Sequence, residues 1–181
     1  SKDSCEKLNV NLNNHANFFS ETSSYLKRTL ENALKYLDKM GAIKWYKLSA
    51  KQGHPIAQYN LGTMYSNAQG IEQNDREAVK LYELSANQGY ASAQRSLGVM
   101  YENGRGLKQD YKEAAKWYEL AVKQGEPIAQ LNLGFLYYKG NGLNMNKIKA
   151  YELWLKSAKQ GNISAQKNLD ILCRQSPWAC K

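Results

Sequence analysis

Apolar residues along this 181-residue chain recur at helical spacing, and the whole pattern returns every 36 residues. In the segment 127–138, apolar side chains stand at intervals that predict a helix with one buried stripe, which we call helix A. A second helix, helix B, is predicted in each copy from alanine and aromatic residues at similar spacing, for example Ala114, Trp117, Tyr118 and Val122. The repeating unit is therefore a pair of helices.

The copies keep one register without a single insertion. A fixed period of this length is typical of a helical solenoid, in which each unit packs on the next one. The columns that carry the register are Gly53, Gly89, Gly125 and Gly161; Leu61, Leu97, Leu133 and Leu169; Ala57, Ala93, Ala129 and Ala165; Tyr65, Tyr101 and Tyr137; Gly70, Gly106 and Gly142; and Ala42, Ala78, Ala114 and Ala150.

The predicted helix ends have recognisable signals. Glycines in the loops after helix A suit the left-handed conformation at a helix end. Helix B is expected to begin at capping boxes, Asn74 with Glu77 and Asp110 with Glu113. The third copy has Asn146 but a lysine three residues later, so its box is only half present.

Two further columns concern the core. The aromatic column Tyr46, Tyr82, Tyr118 and Trp154 is expected to fill the seam between helices rather than to hold a ligand. Glycine inside a helix costs about 1 kcal/mol relative to alanine. Its recurrence inside helix A predicts a close approach of the helix A backbone to helix B, at Gly62, Gly98 and Gly134.

The ends of the chain depart from the repeat. Residues 1–20 are polar and rich in asparagine, whereas a tyrosine and leucine pattern from Tyr25 predicts an amphipathic capping helix. We expect the following organisation: a polar N-terminal arm at 1–20, a capping helix and partial repeat at 21–52, repeats at 53–88, 89–124 and 125–160, and a C-terminal cap at 161–181.

The pattern Ala-x-x-x-Leu-Gly-x-x-Tyr, then Gly-x-Gly, an Asn or Asp cap and Ala-x-x-Gly resembles the Sel1-like repeat family, a relative of the tetratricopeptide repeats. The resemblance covers residues 42 to about 173. It implies an all-α fold, a right-handed α-solenoid of helix-turn-helix repeats, and a role as a protein-interaction scaffold. Ala68 stands where the later copies have glycine, so we expect a less regular first loop.

The cysteines bear on the compartment. A bridge between Cys173 and Cys180 would fix the C-terminal cap and would be worth about 2 to 3 kcal/mol by chain entropy. The alternative is two free thiols. The bridge is the favoured interpretation, and it indicates an oxidising compartment, the periplasm, or else secretion. Cys5, in the polar arm, is left over.

The chain carries a net charge of +9, from 25 basic and 16 acidic side chains. The lysines are dispersed over the repeats, and no nucleic-acid recognition motif accompanies them. We therefore expect an acidic protein partner, no nucleic acid and a chain that is monomeric alone. No apolar run approaches the roughly 18 residues of a membrane span, and we expect neither a span nor a signal peptide.

Catalysis has little support in the sequence. The two histidines, His15 and His54, do not stand at metal-ligand spacing with other ligands. No phosphate-binding loop or nucleophile elbow is recognisable. We expect no metal, no cofactor and no enzymatic activity. The cysteine-rich members that the family includes carry a cysteine pair in every repeat, which this chain lacks.

The positions of helix A that differ between copies are the candidate binding residues. They share one helical face, and in related solenoids this helix lines the concave surface. If exposed, they form an aromatic centre flanked by an arginine and asparagines, the composition of an interface hot spot. Alternatively, Leu131 and Phe135 pack against the next repeat. The predicted face consists of Tyr59, Asn60, Thr63, Arg95, Ser96, Val99, Glu102, Leu131, Asn132, Phe135 and Tyr138.

The sequence and the resemblance together favour a bacterial immunity protein that binds and inhibits a secreted antibacterial effector. Short, capped members of the family resemble those that guard against phospholipase effectors of type VI secretion systems. The alternatives are an adaptor or regulator that binds several envelope or host proteins, and an enzyme that acts on cell-wall fragments or β-lactams.

Overall fold

The structure, a computed structural model, describes residues 41–180. The chain divides into two units, 1–44 and 45–181. The predicted arm, the capping helix from Tyr25, Cys5 and His15 lie outside the described residues. The helices are α1 (41–51), α2 (Pro55–Ser66), α3 (Asp75–Asn87), α4 (Ala91–Asn103), α5 (Tyr111–Lys123), α6 (Pro127–Lys139), α7 (Lys147–Lys159), α8 (Ile163–Gln175) and a terminal 3-10 turn, η1 (Pro177–Cys180).

The two helix types alternate as the repeat pattern predicts. Helices α2, α4, α6 and α8 are the A helices, and α1, α3, α5 and α7 are the B helices. Each helix packs on its neighbours in the chain, and the described part of the chain contains no strand. The predicted all-α solenoid is confirmed.

The B helices begin at the predicted caps, but only half of each capping box forms. Asn74 Oδ1 accepts from the Glu77 amide at 3.0 Å, and Asp110 Oδ1 accepts from the Glu113 amide at 3.1 Å. The cap residues' own amides donate to carbonyls of the tyrosine column, as Asp110 does to Tyr101 at 3.0 Å. The glutamates pair with lysines one turn later instead, because the tyrosine carbonyl already satisfies the amide they were expected to bind.

The first loop differs from the others, as expected. Helices α4 and α6 end at Gly104 and Gly140, which adopt left-handed conformations with φ of 66° and 75°. Helix α2 ends one residue earlier in the register, with Asn67 as its C-cap. Ala68 adopts φ 53°, a conformation that alanine disfavours and glycine allows.

The core consists of the aromatic column packed on the glycine column. Tyr82, Tyr118 and Trp154 are all buried. A Cβ atom added at Gly98 would lie 2.5 Å from Tyr118 Cε1, and one at Gly134 would lie 2.5 Å from Trp154 Nε1. The close contact is therefore between a ring of helix B and the backbone of helix A. The predicted close approach of the helix A backbone to helix B is confirmed, and the ring occupies the space that each glycine leaves.

A ladder of polar side chains joins successive helices. The glutamine before each repeat glycine donates to a buried glutamine of the preceding A helix, at 2.8 Å for Gln88 to Gln58 and 3.0 Å for Gln160 to Gln130. Gln124 bonds to Gln94 in the same way, at 2.8 Å. The buried amides are thereby satisfied, which avoids the penalty of an unpaired polar group inside the protein.

The C-terminal cap is fixed by the predicted disulfide. Cys173, in α8, is bonded to Cys180, in η1. Cys180 packs against the last core cluster, which contains Trp154 and Leu172. The bond therefore holds the terminal turn over the end of the solenoid core.

Replacing Gly98 by alanine tests the contact between ring and glycine. The new methyl group would displace Tyr118, and overpacking of this kind costs about 1 to 3 kcal/mol. Alanine's higher helix propensity returns up to about 1 kcal/mol. We expect the free energy of unfolding to fall by about 1 to 2 kcal/mol in urea denaturation followed by circular dichroism.

Gly62→Ala is the matched control, because its added Cβ would lie 2.9 Å from the Tyr82 ring and should cost less. A Gly98→Ala variant as stable as the wild type would contradict the packing role of this column.

Candidate functional site

Five residues of the predicted face surround one pocket between α2 and α4. The pocket has a volume of about 200 Å³. Tyr82, from the aromatic column, also lines it. The predicted residues at its wall are Tyr59, Thr63, Arg95, Ser96 and Val99.

Hydrogen bonds and ring contacts order the wall of this pocket. Thr63 Oγ1 donates to the Tyr59 carbonyl at 3.0 Å and accepts from the Tyr82 hydroxyl at 3.2 Å. The Tyr59 ring lies 5.2 Å from the Tyr90 ring, edge to face. Burial raises the pKa of Tyr82, so its hydroxyl stays protonated and available as a donor at neutral pH. Asn60 is half-buried on the same helix.

Arg95 lines the first pocket, but its charge is paired within the fold. Its Nε lies 3.3 Å from a carboxylate oxygen of Glu126, and both side chains are largely buried. Glu126 in turn accepts from the Ala129 amide as the N-cap of α6. The sequence pattern suggested a flanking cation because it does not show that the next repeat supplies a carboxylate.

The middle of the predicted face is organised by Tyr118. The Tyr118 hydroxyl donates to Glu102 Oε2 at 2.6 Å. Burial raises the pKa of Tyr118, and the Glu102 carboxylate raises it further, whereas Asn132 opposes the rise. Glu102 and Asn132 thus both act on the same buried ring.

The C-terminal part of the face is aromatic and cationic. Phe135 is 41% exposed, and its ring lies 6.3 Å from that of Trp154. Tyr138 lies 5.4 Å from Trp154, and Lys139 stands 5.8 Å from both the Phe135 and the Tyr138 rings. Leu131 is half-buried against the last core cluster. The sequence did not decide whether Leu131 and Phe135 are exposed or pack against the next repeat. In the structure Leu131 packs against the core, whereas Phe135 is exposed.

Sequence reasoning missed Arg105, which also lines the first pocket. Its guanidinium donates to Asp75 at 2.7 and 3.1 Å and to the Ser66 carbonyl at 2.8 Å. The Arg105 hydrogen bonds hold the pKa of Asp75 below its usual value. The sequence contains one signal for this role. Arg105 stands between two loop glycines, at a position where the other copies have Gln69 and Asn141.

The chemistry of these groups suits binding. Within residues 41–180, no cluster of histidine, cysteine and carboxylate side chains could hold a metal ion. Over the same residues, no helix combines the length and apolarity that a membrane crossing requires. The face offers aromatic rings, hydroxyls, amides and lysines, which are groups that contact other proteins.

The fold and this face define an α-solenoid of helix-pair repeats. The chain belongs to the Sel1 repeat family, whose model matches residues 30–54, 55–90, 91–126 and 127–162. No curated protein matches the chain.

Solved structures with the same fold come from several bacteria. The chain is 36% identical to a protective antigen of uropathogenic Escherichia coli with an SLR fold, with a TM-score of 0.70 over 75% of this chain and 31% of that one. A Sel1 repeat protein from Oxalobacter formigenes is 30% identical, with a TM-score of 0.67 over 78% and 61%. Helicobacter pylori cysteine rich protein B is 25% identical, with a TM-score of 0.58 over 74% and 96%. The chain thus spans about a third of the first and three fifths of the second.

The ion pair beside the first pocket predicts a pH-dependent stability. Arg105→Gln introduces the residue that the preceding copy has at this position and removes the partner of Asp75. Because the pair is partly exposed, we expect a loss of about 1 kcal/mol at neutral pH. The folded-state pKa of Asp75 is lowered, so this contribution is present above the unfolded pKa of about 4 and is lost as pH falls through the folded pKa.

Urea denaturation of wild type and variant from pH 7 to pH 2 measures the difference. Arg76→Gln removes the same charge from a neighbouring exposed residue and is the control. A difference between wild type and Arg105→Gln that stays constant over this range would contradict the assigned pair.

Proposed function

We propose that this chain is a protein-interaction scaffold that binds its partner through the variable face of the A helices. The observation that carries the proposal is the exposed Phe135, with Tyr138 and Lys139 beside it. Phe135 shares its register with Thr63 and Val99, so the fold accepts small and polar residues there. Because Phe135 is grouped with Tyr138 and Lys139 and does not stand alone, this aromatic group supports a contact with another protein.

The more specific proposal is an immunity protein for a secreted antibacterial effector, such as a phospholipase delivered by type VI secretion. Such a protein must bind one enzyme tightly in the compartment that the effector reaches. The Cys173–Cys180 disulfide supports an oxidising location, the periplasm or the outside of the cell. The net charge of +9 favours a partner with an acidic contact surface.

The main alternative is an adaptor that binds several envelope or host proteins. The same exposed aromatic group supports it, but it predicts several partners of lower affinity and no inhibited enzyme. An enzyme acting on cell-wall fragments or β-lactams is the third candidate, and it predicts turnover that is lost when one polar residue is changed.

Phe135→Ala should abolish capture of the partner without unfolding the protein. The side chain is exposed, so its loss should leave the helical content and urea midpoint close to wild type, whereas a central aromatic contact is worth 2 kcal/mol or more, about thirtyfold in affinity. The measurement is affinity capture from the native cell envelope and from cells exposed to competitors, followed by titration of the purified partner.

Leu84→Ala is the matched control, because Leu84 is an exposed apolar residue on a B helix. The immunity proposal expects one stoichiometric enzyme whose activity is lost at a one-to-one ratio with wild type but is retained with Phe135→Ala. Several captured proteins without an inhibited enzyme would support the adaptor, and equal capture by Phe135→Ala would rule out this face.

A further inference from the structure

A hollow of about 390 Å³ lies at the C-terminal end of the solenoid, between the loop after α6 and the terminal turn η1. It is lined by Met145, Asn146, Lys147, Ile148 and Trp178, and we call these residues the cap hollow. Its three apolar residues are exposed: Met145 to 63%, Ile148 to 50% and Trp178 to 61%. Large apolar side chains grouped on a surface mark contact sites more often than isolated ones do.

The earlier repeats show that the fold does not require apolar residues here. At the register of Met145 they have Gln73 and Gln109, and at the register of Ile148 they have Arg76 and Lys112. The backbone of this segment is the same in all three copies, because the cap residue donates to the tyrosine-column carbonyl each time, at 3.0, 3.0 and 2.9 Å. Two polar positions have therefore become apolar while the local structure has stayed constant.

The charge around the cap hollow has changed in the same copy. Lys147, which lines the hollow, stands where the earlier copies have Asp75 and Tyr111. The segments 139–151 and 171–181 contain no acidic residue in the sequence. Their basic residues are Lys139, Lys147, Lys149, Arg174 and Lys181. The hollow is thus apolar at its centre with Lys147 in its wall, and the nearest acidic residues along the chain are Glu152 and Asp170.

The backbone segment that contains Trp178 is restrained by its surroundings. The Cys173–Cys180 disulfide closes this segment. Lys147 Nζ donates to Ser176 Oγ at 2.9 Å, which ties the segment to the start of α7. A backbone that is already restrained loses less entropy on binding, and this favours a role in recognition.

We propose that the cap hollow binds an acidic, amphipathic segment of a partner protein, which inserts one apolar side chain beside Trp178 and places a carboxylate near Lys147. The three apolar side chains border a space that a single leucine or phenylalanine side chain can occupy. The charge complementarity supplies specificity and a faster encounter. The inference rests on the proposed function of protein binding, but it uses a surface separate from the variable face.

The experiment uses the whole chain and a defined probe. The probe is an acetylated, amidated peptide with a central Leu-Phe pair and an acidic residue pair on each side, titrated into isotope-labelled protein by NMR. We expect shifts at the Trp178 indole, identified with Trp178→Phe, and at the Met145 methyl group. A matched peptide with Ser-Ser in place of Leu-Phe should give no such shifts.

The variants borrow residues that the other repeats already have at these positions. Met145→Gln combined with Ile148→Lys introduces the counterparts Gln109 and Lys112, so the protein should fold as before. Affinity should fall by about tenfold or more although the positive charge increases, because the apolar contact is lost. Lys147→Gln removes the cation that lines the hollow, so it should weaken binding at low salt and reduce the salt dependence of binding.

Peptide binding with unchanged affinity in the double variant would overturn the proposal, and so would a lack of shifts in the wild type. Sedimentation with vesicles of phosphatidylcholine and phosphatidylglycerol tests the lipid alternative. Vesicle binding that requires Trp178, without peptide binding, would assign the hollow to a membrane and refute the proposal. In each of these cases, loss of partner capture by the Phe135→Ala variant would still support the proposed scaffold function.

Discussion

The contact between an aromatic ring of helix B and a glycine of helix A is the constraint on which the rest of this solenoid depends. Tyr118 lies so close to Gly98 that no side chain fits at the glycine position. The ring fills the seam between the two helices, and its burial supplies much of the core of its repeat. Once the ring is buried, however, its polar atom needs a hydrogen-bond partner in the same place.

The three described rings meet this need in different ways, and the differences shape the candidate face. Tyr82 donates to the Thr63 hydroxyl, and Tyr118 donates to the Glu102 carboxylate. Trp154 donates instead to the backbone carbonyl of Leu131, at 3.0 Å. The side chains above Trp154 therefore need not supply an acceptor. This explains why the third repeat can place Phe135 and Tyr138 where the earlier copies place residues that bind a tyrosine hydroxyl.

The sequence predicted the features that repeat and missed those that join one copy to the next. The register, the buried aromatic column, the helix caps and the irregular first loop at Ala68 follow from short-range patterns. The pairing of Arg95 with Glu126 and of Arg105 with Asp75 links residues about 30 positions apart in different repeats. Within residues 41–180 neither pair recurs in another repeat, so periodicity contains no signal for them. Their consequence is that neither arginine is free to contact a partner as an unpaired charge.

A repeat protein contains its own reference for separating folding from function, because each position has counterparts in the same structural environment. The glycine and aromatic columns are constant where packing demands it. Phe135, Met145 and Ile148 are exposed and apolar where their counterparts are mostly polar, so packing does not explain them. All three lie in the last full repeat, next to the disulfide-bonded cap. The departures from the repeat therefore concentrate at one end of the solenoid, and a partner that contacts this end could use the variable face and the cap hollow together.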